Sequence, residues 1–262
     1  MTTKSSRNRS KKGYDVNDES VISEKTKVLN IINKKINLVA KNDSQKKAIQ
    51  LIKNKEVSFI AGAAGTGKTF IGLATAIDLL VDPNTPYTKI YLAKSVKPIP
   101  DEEVGYIKGS LEEKLEPVMW SFMMNVNKLI NESVIIKLIE NNIIKNLPLA
   151  YIRGLSIDNA IIIIDETQNL TIDTLRTLMT RIGENSKFIA LGDIKQIDIK
   201  NKSKSSLRIA LDLFNNSSNK IGVMEFNNED IVRNPLIKVI EQKFDEYESS
   251  INEIKNNKRI VL

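Results

Sequence analysis

At 262 residues, with 41% hydrophobic and 27% charged side chains, the chain can close one substantial hydrophobic core without covalent staples. It has no cysteine and no histidine, which excludes disulfides, zinc sites of the Cys/His kind and any Cys or His nucleophile. The net charge of +7 is uneven: residues 1–55 carry 14 Lys and Arg against 5 Asp and Glu, and the remainder 25 against 27. A basic end of this kind suits a polyanionic partner, or serves only as a solvated tail.

No apolar run reaches the roughly 18 residues that span a bilayer, and no apolar core follows the basic N-terminus. The expected setting is the cytoplasm, with no membrane partner and no signal peptide. Residues 1–40 read as a basic, partly disordered segment, nearly free of apolar side chains up to residue 20. An irregular apolar pattern over Glu24–Val39 predicts a short helix there, and residues 41–262 form the single domain. Asp43 or Ser44 can cap a helix through Ile52. Val57–Ala61 is a short apolar run ending at glycine, the pattern of a buried parallel strand. Gly67–Val81 is helical, with Ile71, Ala74, Ile77 and Leu80 on one face and Pro83 and Pro86 beyond its end. Lys89–Ala93 is the next strand.

Leu111, Leu115, Val118, Phe122, Val126 and Leu129 make one apolar stripe, so Leu111–Ile130 reads as an amphipathic helix with Trp120 in the core. Ala160–Ile164 is a strand ending at Asp165-Glu166, Thr171 opens a helix to Ile182, and Phe188–Leu191 is a strand. A helix over Ser205–Phe214 and a strand over Ile221–Phe226 follow, and Pro235 begins a last helix running to about Lys255. Strands alternating with helices predict an α/β fold, a mostly parallel sheet with helices on both faces.

Gly62-Ala63-Ala64-Gly65-Thr66-Gly67-Lys68-Thr69 fits the pattern G-x-x-x-x-G-K-[ST] between a predicted strand and a predicted helix. The glycines let backbone N–H groups wrap a phosphate, and the helix N-terminus adds partial positive charge. Lys68 is expected to reach the β- and γ-phosphates of ATP, and Thr69 to offer its hydroxyl to Mg²⁺; Phe70 belongs with them on the nucleotide side. A second apolar strand delivers Asp165 to the sheet edge as an Mg²⁺ ligand through water, and Glu166 as the group that polarises the attacking water. Gln196, after a third strand, either senses the γ-phosphate, orients the water, or is an exposed turn amide.

Together these segments resemble the PhoH family. The match runs through Ala61–Thr69, Gly105–Met119, Pro148–Gly154, Ile164–Asn169, Leu178–Gly183, Gly192–Gln196 and Glu229–Leu236. The resemblance implies a single RecA-like P-loop NTPase domain with ATPase activity and a helicase role on single-stranded nucleic acid, RNA ahead of DNA. By position, Gln45 resembles the glutamine that reads adenine, and Gln168 and Gln196 resemble γ-phosphate sensors. Arg181 and Arg233 are the arginine candidates for the transition state, with a surface salt bridge as the alternative for each. The resemblance also implies a homo-oligomer, a hexameric ring being one form, in which an arginine acts across a subunit boundary. Lys94-Ser95 stands where many cellular members have Arg-Pro, and Leu155 where a second arginine is common; the Lys-Ser form fits a phage source and thus a host cytoplasm. Lys94, Lys97 and Lys108 are candidate backbone contacts for nucleic acid, with Tyr91, Tyr106 and Trp120 the few aromatics for stacking, core packing ranking ahead of stacking for Trp120. No nuclease activity is expected. An ATP-gated assembly factor acting on a protein partner is the competing function, and a small-molecule kinase is disfavoured by Glu166.

Overall fold

The computed structural model describes residues 19–32, 36, 38–95, 120–149, 152, 154–198 and 205–260. Six strands form one sheet: β1 (Val57–Ala61), β2 (Lys89–Lys94), β3 (Ile144–Asn146), β4 (Ala160–Asp165), β5 (Lys187–Gly192) and β6 (Ile221–Glu225), in the order β3-β2-β4-β5-β1-β6. Every pairing among them is parallel, where the sequence pattern indicated only a mostly parallel sheet. Parallel strands need crossovers, and helices supply them on both faces.

Strand periodicity sorts the core into two halves. On β4, Ile161 and Ile163 face one side, while Ala160, Ile162 and Ile164 face the other. On β1, Ile60 faces the first side, and Val57, Phe59 and Ala61 the second. The first half is covered by α1 (Glu19–Ile31), α2 (Asp43–Asn54), α3 (Lys68–Val81), the helical residues 120–126 and α4 (Glu132–Glu140). The second is covered by α5 (Ile172–Met179) and α6 (Ser206–Phe214). Both faces are buried, which is why β4 is a continuous apolar run rather than an alternating one.

Several elements differ from the sequence reading. Helix α1 begins at Glu19 and ends at Ile31, and is joined to the core by Val28, Ile32 and Ile36. Its buried Lys25 donates to the Leu80 carbonyl in the last turn of α3 at 2.6 Å and to the Tyr87 carbonyl beyond its end at 3.0 Å. Apolar spacing could not show this, because a lysine is half of what the helix buries. Of the long amphipathic stretch, residues 120–126 are helical with Phe122 and Val126 buried; Leu111, Leu115 and Val118 lie outside the described residues. Trp120 is 64% exposed, not in the core, because two residues from Phe122 is about 200° around the helix. Helix α4 and the three-residue β3 have no counterpart in the sequence reading: β3 pairs only with β2 and is too short to show a period. Helix α5 stops at Met179 because the next turn pairs elsewhere, with Gly183 N donating to the Ile157 carbonyl and Ile157 N to that of Arg181. The last helix, α7, runs from Pro235 to Ile260.

Among the described residues, no helix is long and apolar enough to cross a membrane.

Candidate active site

The loop Gly62–Thr69 leaves β1 at the carboxyl edge of the sheet, where parallel α/β sheets bind ligands. Gly65 and Gly67 take φ of +87° and +86°, conformations that cost other residues roughly 1–2 kcal/mol. A side chain at Gly67 would also start 2.8 Å from Gln45 Nε2. Three distant segments brace the loop: Gly62 N donates to Gly192 O, Val232 N to Gly65 O and Gln45 Nε2 to Thr66 O, at 3.1, 3.0 and 2.9 Å. Inside it, Thr66 Oγ1 donates to Ala63 O, and Lys68 Nζ lies 3.3 Å from the same carbonyl. Helix α3 starts at Lys68 with no side-chain cap, so its first amides point to the cavity edge, ready for an anion.

Across from the loop, Thr69 Oγ1 donates to the Asp165 carboxylate at 3.2 and 3.4 Å. Burial, and secondarily the neighbouring Glu166, push the Asp165 carboxyl above its usual range, while Lys94 and Lys68 pull it back. Lys94 pairs in register with Asp165 on the next strand. Glu166 sits at φ +55°, a left-handed turn that ends β4 and opens the short 3₁₀ turn Thr167–Asn169.

Beneath Glu166, the fully buried Gln168 donates from Nε2 to Glu166 Oε2 at 2.6 Å and to Gln196 O at 3.1 Å. Its Oε1 accepts from Asp193 N at 3.0 Å. Gln168 therefore holds the Glu166 carboxylate and the end of β5 together, and the residue expected as a γ-phosphate sensor lies behind the cavity wall rather than lining it.

A cavity of about 520 Å³ lies between these groups, within the usual range for small-molecule sites. Ala64, Gly65, Gly67, Lys68, Thr69 and Phe70 line it from the loop side, and Asp165, Glu166, Asp193 and Gln196 from the strand edges. Gly62, Ala63 and Thr66 shape the loop from behind. Gln45 and Val39 close one end; Gln45 also accepts from Lys41 N, and one of its two amide hydrogens goes to Thr66 O. Arg233 lines the cavity of its own chain, its Cβ 3.5 Å from where a side chain on Gly65 would begin. Arg181 is not brought to it: its guanidinium donates to Leu155 O and Thr180 Oγ1.

Lys94 also lines the cavity; Lys97, Lys108 and Tyr106 lie outside the described residues. The sequence reading missed Asp193 and the polar stripe Ser121, Asn125 and Lys128, which line the opposite wall. Ser121 and Asn125 are legible in retrospect, since positions i and i+4 share a helical face, and Lys128 lies in the turn that follows.

The residues fit a nucleoside triphosphate with Mg²⁺. A buried carboxylate whose charged form is disfavoured, bonded to a hydroxyl, is an oxygen-donor pair that a hard cation satisfies. The uncapped helix and the glycine turns leave backbone amides for phosphate.

An all-parallel sheet with a phosphate loop after β1 and an acidic pair ending β4 defines a P-loop domain of the RecA-like, ATPase-like class. The family model described as PhoH-like protein matches residues 37–245, and the chain belongs to the PhoH family. It is 33% identical over 211 residues to a PhoH-like protein of Synechocystis, covering 80% of this chain and 63% of the relative. A PhoH-like protein of Bacillus subtilis is 32% identical over 205 residues, covering 78% and 63%, and Protein PhoH of Escherichia coli 31% over 201, covering 76% and 56%. The chain thus spans under two thirds of the length of these relatives.

Proposed function

We propose that the protein is an Mg²⁺-dependent ATPase that couples hydrolysis to binding of, or movement along, single-stranded nucleic acid, RNA ahead of DNA. The observation that carries this reading is the convergence of Lys68, Thr69, Asp165 and Glu166 on one cavity at the sheet edge. The loop amides and Lys68 bind the triphosphate. Thr69 and Asp165 hold Mg²⁺, which when bound neutralises charge on the phosphate oxygens. Glu166 accepts the proton of a water that attacks the γ-phosphorus as the bond to the bridging oxygen breaks, giving ADP and phosphate. Gln168 keeps Glu166 in place, Gln196 meets the γ-phosphate side, and Arg233 supplies positive charge from its own chain. Gln45, with its second amide hydrogen, reads the base.

The test is ATP turnover by the full chain with and without single-stranded RNA and DNA, at two salt concentrations. Stimulation that weakens with salt is expected, because phosphate contacts release counterions. A rate indifferent to both polymers would replace the nucleic-acid motor with an ATP-gated switch on a protein partner. Glu166→Gln should bind ATP and lose turnover by about 10²–10⁴-fold; turnover at the wild-type rate would remove Glu166 from the mechanism.

A further inference from the structure

The cavity has two basic sides. On the loop side stand Lys68 and Arg233, which act on the triphosphate. A second wall is made by Lys94 at the end of β2, by Ser121 and Asn125 on one helical face, and by Lys128 in the turn that follows. Sheet order separates the two sides: β4 lies between β2 and the strands β5 and β1, so Asp165 stands between Lys94 and the loop. Both Lys94 and Lys68 draw on the Asp165 charge, one from each side. The hydrolysis chemistry gives the second wall no task.

Every polar group on this wall can donate. Lys94 Nζ lies 3.5 Å from Ser121 Oγ. Asn125 Nδ2 donates one hydrogen to Ser121 O at 3.0 Å, which fixes the orientation of the amide and leaves its second hydrogen for a ligand. Lys128 is exposed, and neither it nor Lys94 forms an ion pair among the described residues. Among those residues the wall carries no acidic side chain of its own. Neutralising Asp165 would require Lys94 alone and would leave Asn125 and Lys128 without a reason to line the same space. Two ammonium groups, a hydroxyl and an amide repel a metal ion and suit a phosphate, whose oxygens accept hydrogen bonds on several sides and which lysine binds as a point charge.

We propose that Lys94, Ser121, Asn125 and Lys128 form a second oxyanion site, holding a phosphate group other than those bound at the loop. Two sources supply such a group: orthophosphate released by cleavage of the nucleotide, or a phosphodiester of a bound single strand. The choice of source rests on the nucleotide and nucleic-acid readings; the site itself does not.

Inorganic phosphate is the probe, followed by phosphorus NMR line broadening on the full chain at constant ionic strength. Lys68→Ala removes the lysine of the loop, so binding that survives in this variant reports the second wall. Lys68→Ala should still bind phosphate, and adding Lys128→Glu should weaken that binding by roughly tenfold or more, as loss of a charge-assisted contact does. Lys94→Met, which keeps most of the side-chain stem, should act in the same direction. Lys137→Glu makes the same charge change on an exposed face of α4, away from the cavity, and should leave phosphate binding as it was. Thermal melts without phosphate confirm that each variant folds. Fluorescence anisotropy with a single-stranded oligonucleotide then assigns the source. An affinity that falls with Lys128→Glu, but not with Lys137→Glu, and is competed by inorganic phosphate identifies a phosphodiester. An oligonucleotide affinity indifferent to Lys128→Glu, with phosphate binding still lost, identifies free orthophosphate. No phosphate binding by Lys68→Ala up to about 20 mM, where a millimolar site saturates, would overturn the proposal. So would phosphate binding that Lys128→Glu and Lys94→Met leave unchanged, or that Lys137→Glu weakens as much as Lys128→Glu.

Discussion

Gln168 shows what one side chain with no access to ligand can do. A carboxylate on a left-handed turn, such as Glu166, has no strand or helix to fix its direction, so a hydrogen bond must. The 2.6 Å bond from Gln168 Nε2 supplies it, and the Asp193 N–H fixes the other end of the amide. Gln168→Ala should therefore lower kcat by roughly tenfold with KM within about twofold of wild type, the pattern of a lost positioning contact. Steady-state kinetics checks this; a rise in KM at unchanged kcat would point instead to ground-state phosphate binding. Gly67 makes a second case. Gly67→Ala forces a side chain into positive φ and against Gln45, and should destabilise the domain by about 1–2 kcal/mol in urea denaturation while weakening nucleotide binding.

At the scale of elements, two helices on the same face end on buried lysines. Lys187 on β5 donates to the Ile52 carbonyl at 2.6 Å and to that of Lys55, at the end of α2. Lys25 does the same for α3. These ammonium groups satisfy carbonyls a helix terminus leaves open, and complement the negative end of the dipole. Burial lowers both pKa values from the usual 10.5 to about 8. Between those values the unfolded chain keeps protons that the folded chain has released, so these two groups make stability rise with pH from about 8 towards 10.5. Urea midpoints measured at pH 7.5 and pH 10 for wild type and for Lys25→Met with Lys187→Met should show that rise in the wild type relative to the variant. No difference between the two slopes would mean that neither lysine titrates in this window.

For the whole molecule, the cavity joins parts that are far apart in the chain. Gln45 before β1, the loop after it, Asp165 on β4, Gln196 after β5 and Arg233 before α7 all line one cavity. A ligand touching so many elements stabilises them as a unit: at about 100 times the dissociation constant, MgATP should add roughly 2.7 kcal/mol. A thermal shift of several degrees is expected with MgATP, reduced by EDTA and absent in Lys68→Ala. A shift in Lys68→Ala equal to that of wild type would mean that the ligand binds elsewhere.

The phosphate loop, the acidic pair and the alternation of strands and helices were legible in the sequence, because each is local. Glycines at fixed offsets, a lysine one residue into a helix and a carboxylate ending an apolar strand carry their meaning within a few residues of chain. The strand positions followed for the same reason, save β3, whose three residues are too few to show a period. What tertiary structure decided is everything that depends on neighbours distant in sequence. Gln168 lies under Glu166 because the end of β5 packs against it; Arg233 faces its own chain's cavity because Val232 is bonded to Gly65. Lys94 enters the site because β2 lies beside β4 in that register, and Trp120 faces outward because Phe122 and Val126 claim the buried side of their helix. Local chemistry determined which groups can bind phosphate; the packing of separate segments decided which of the remaining polar residues reach it.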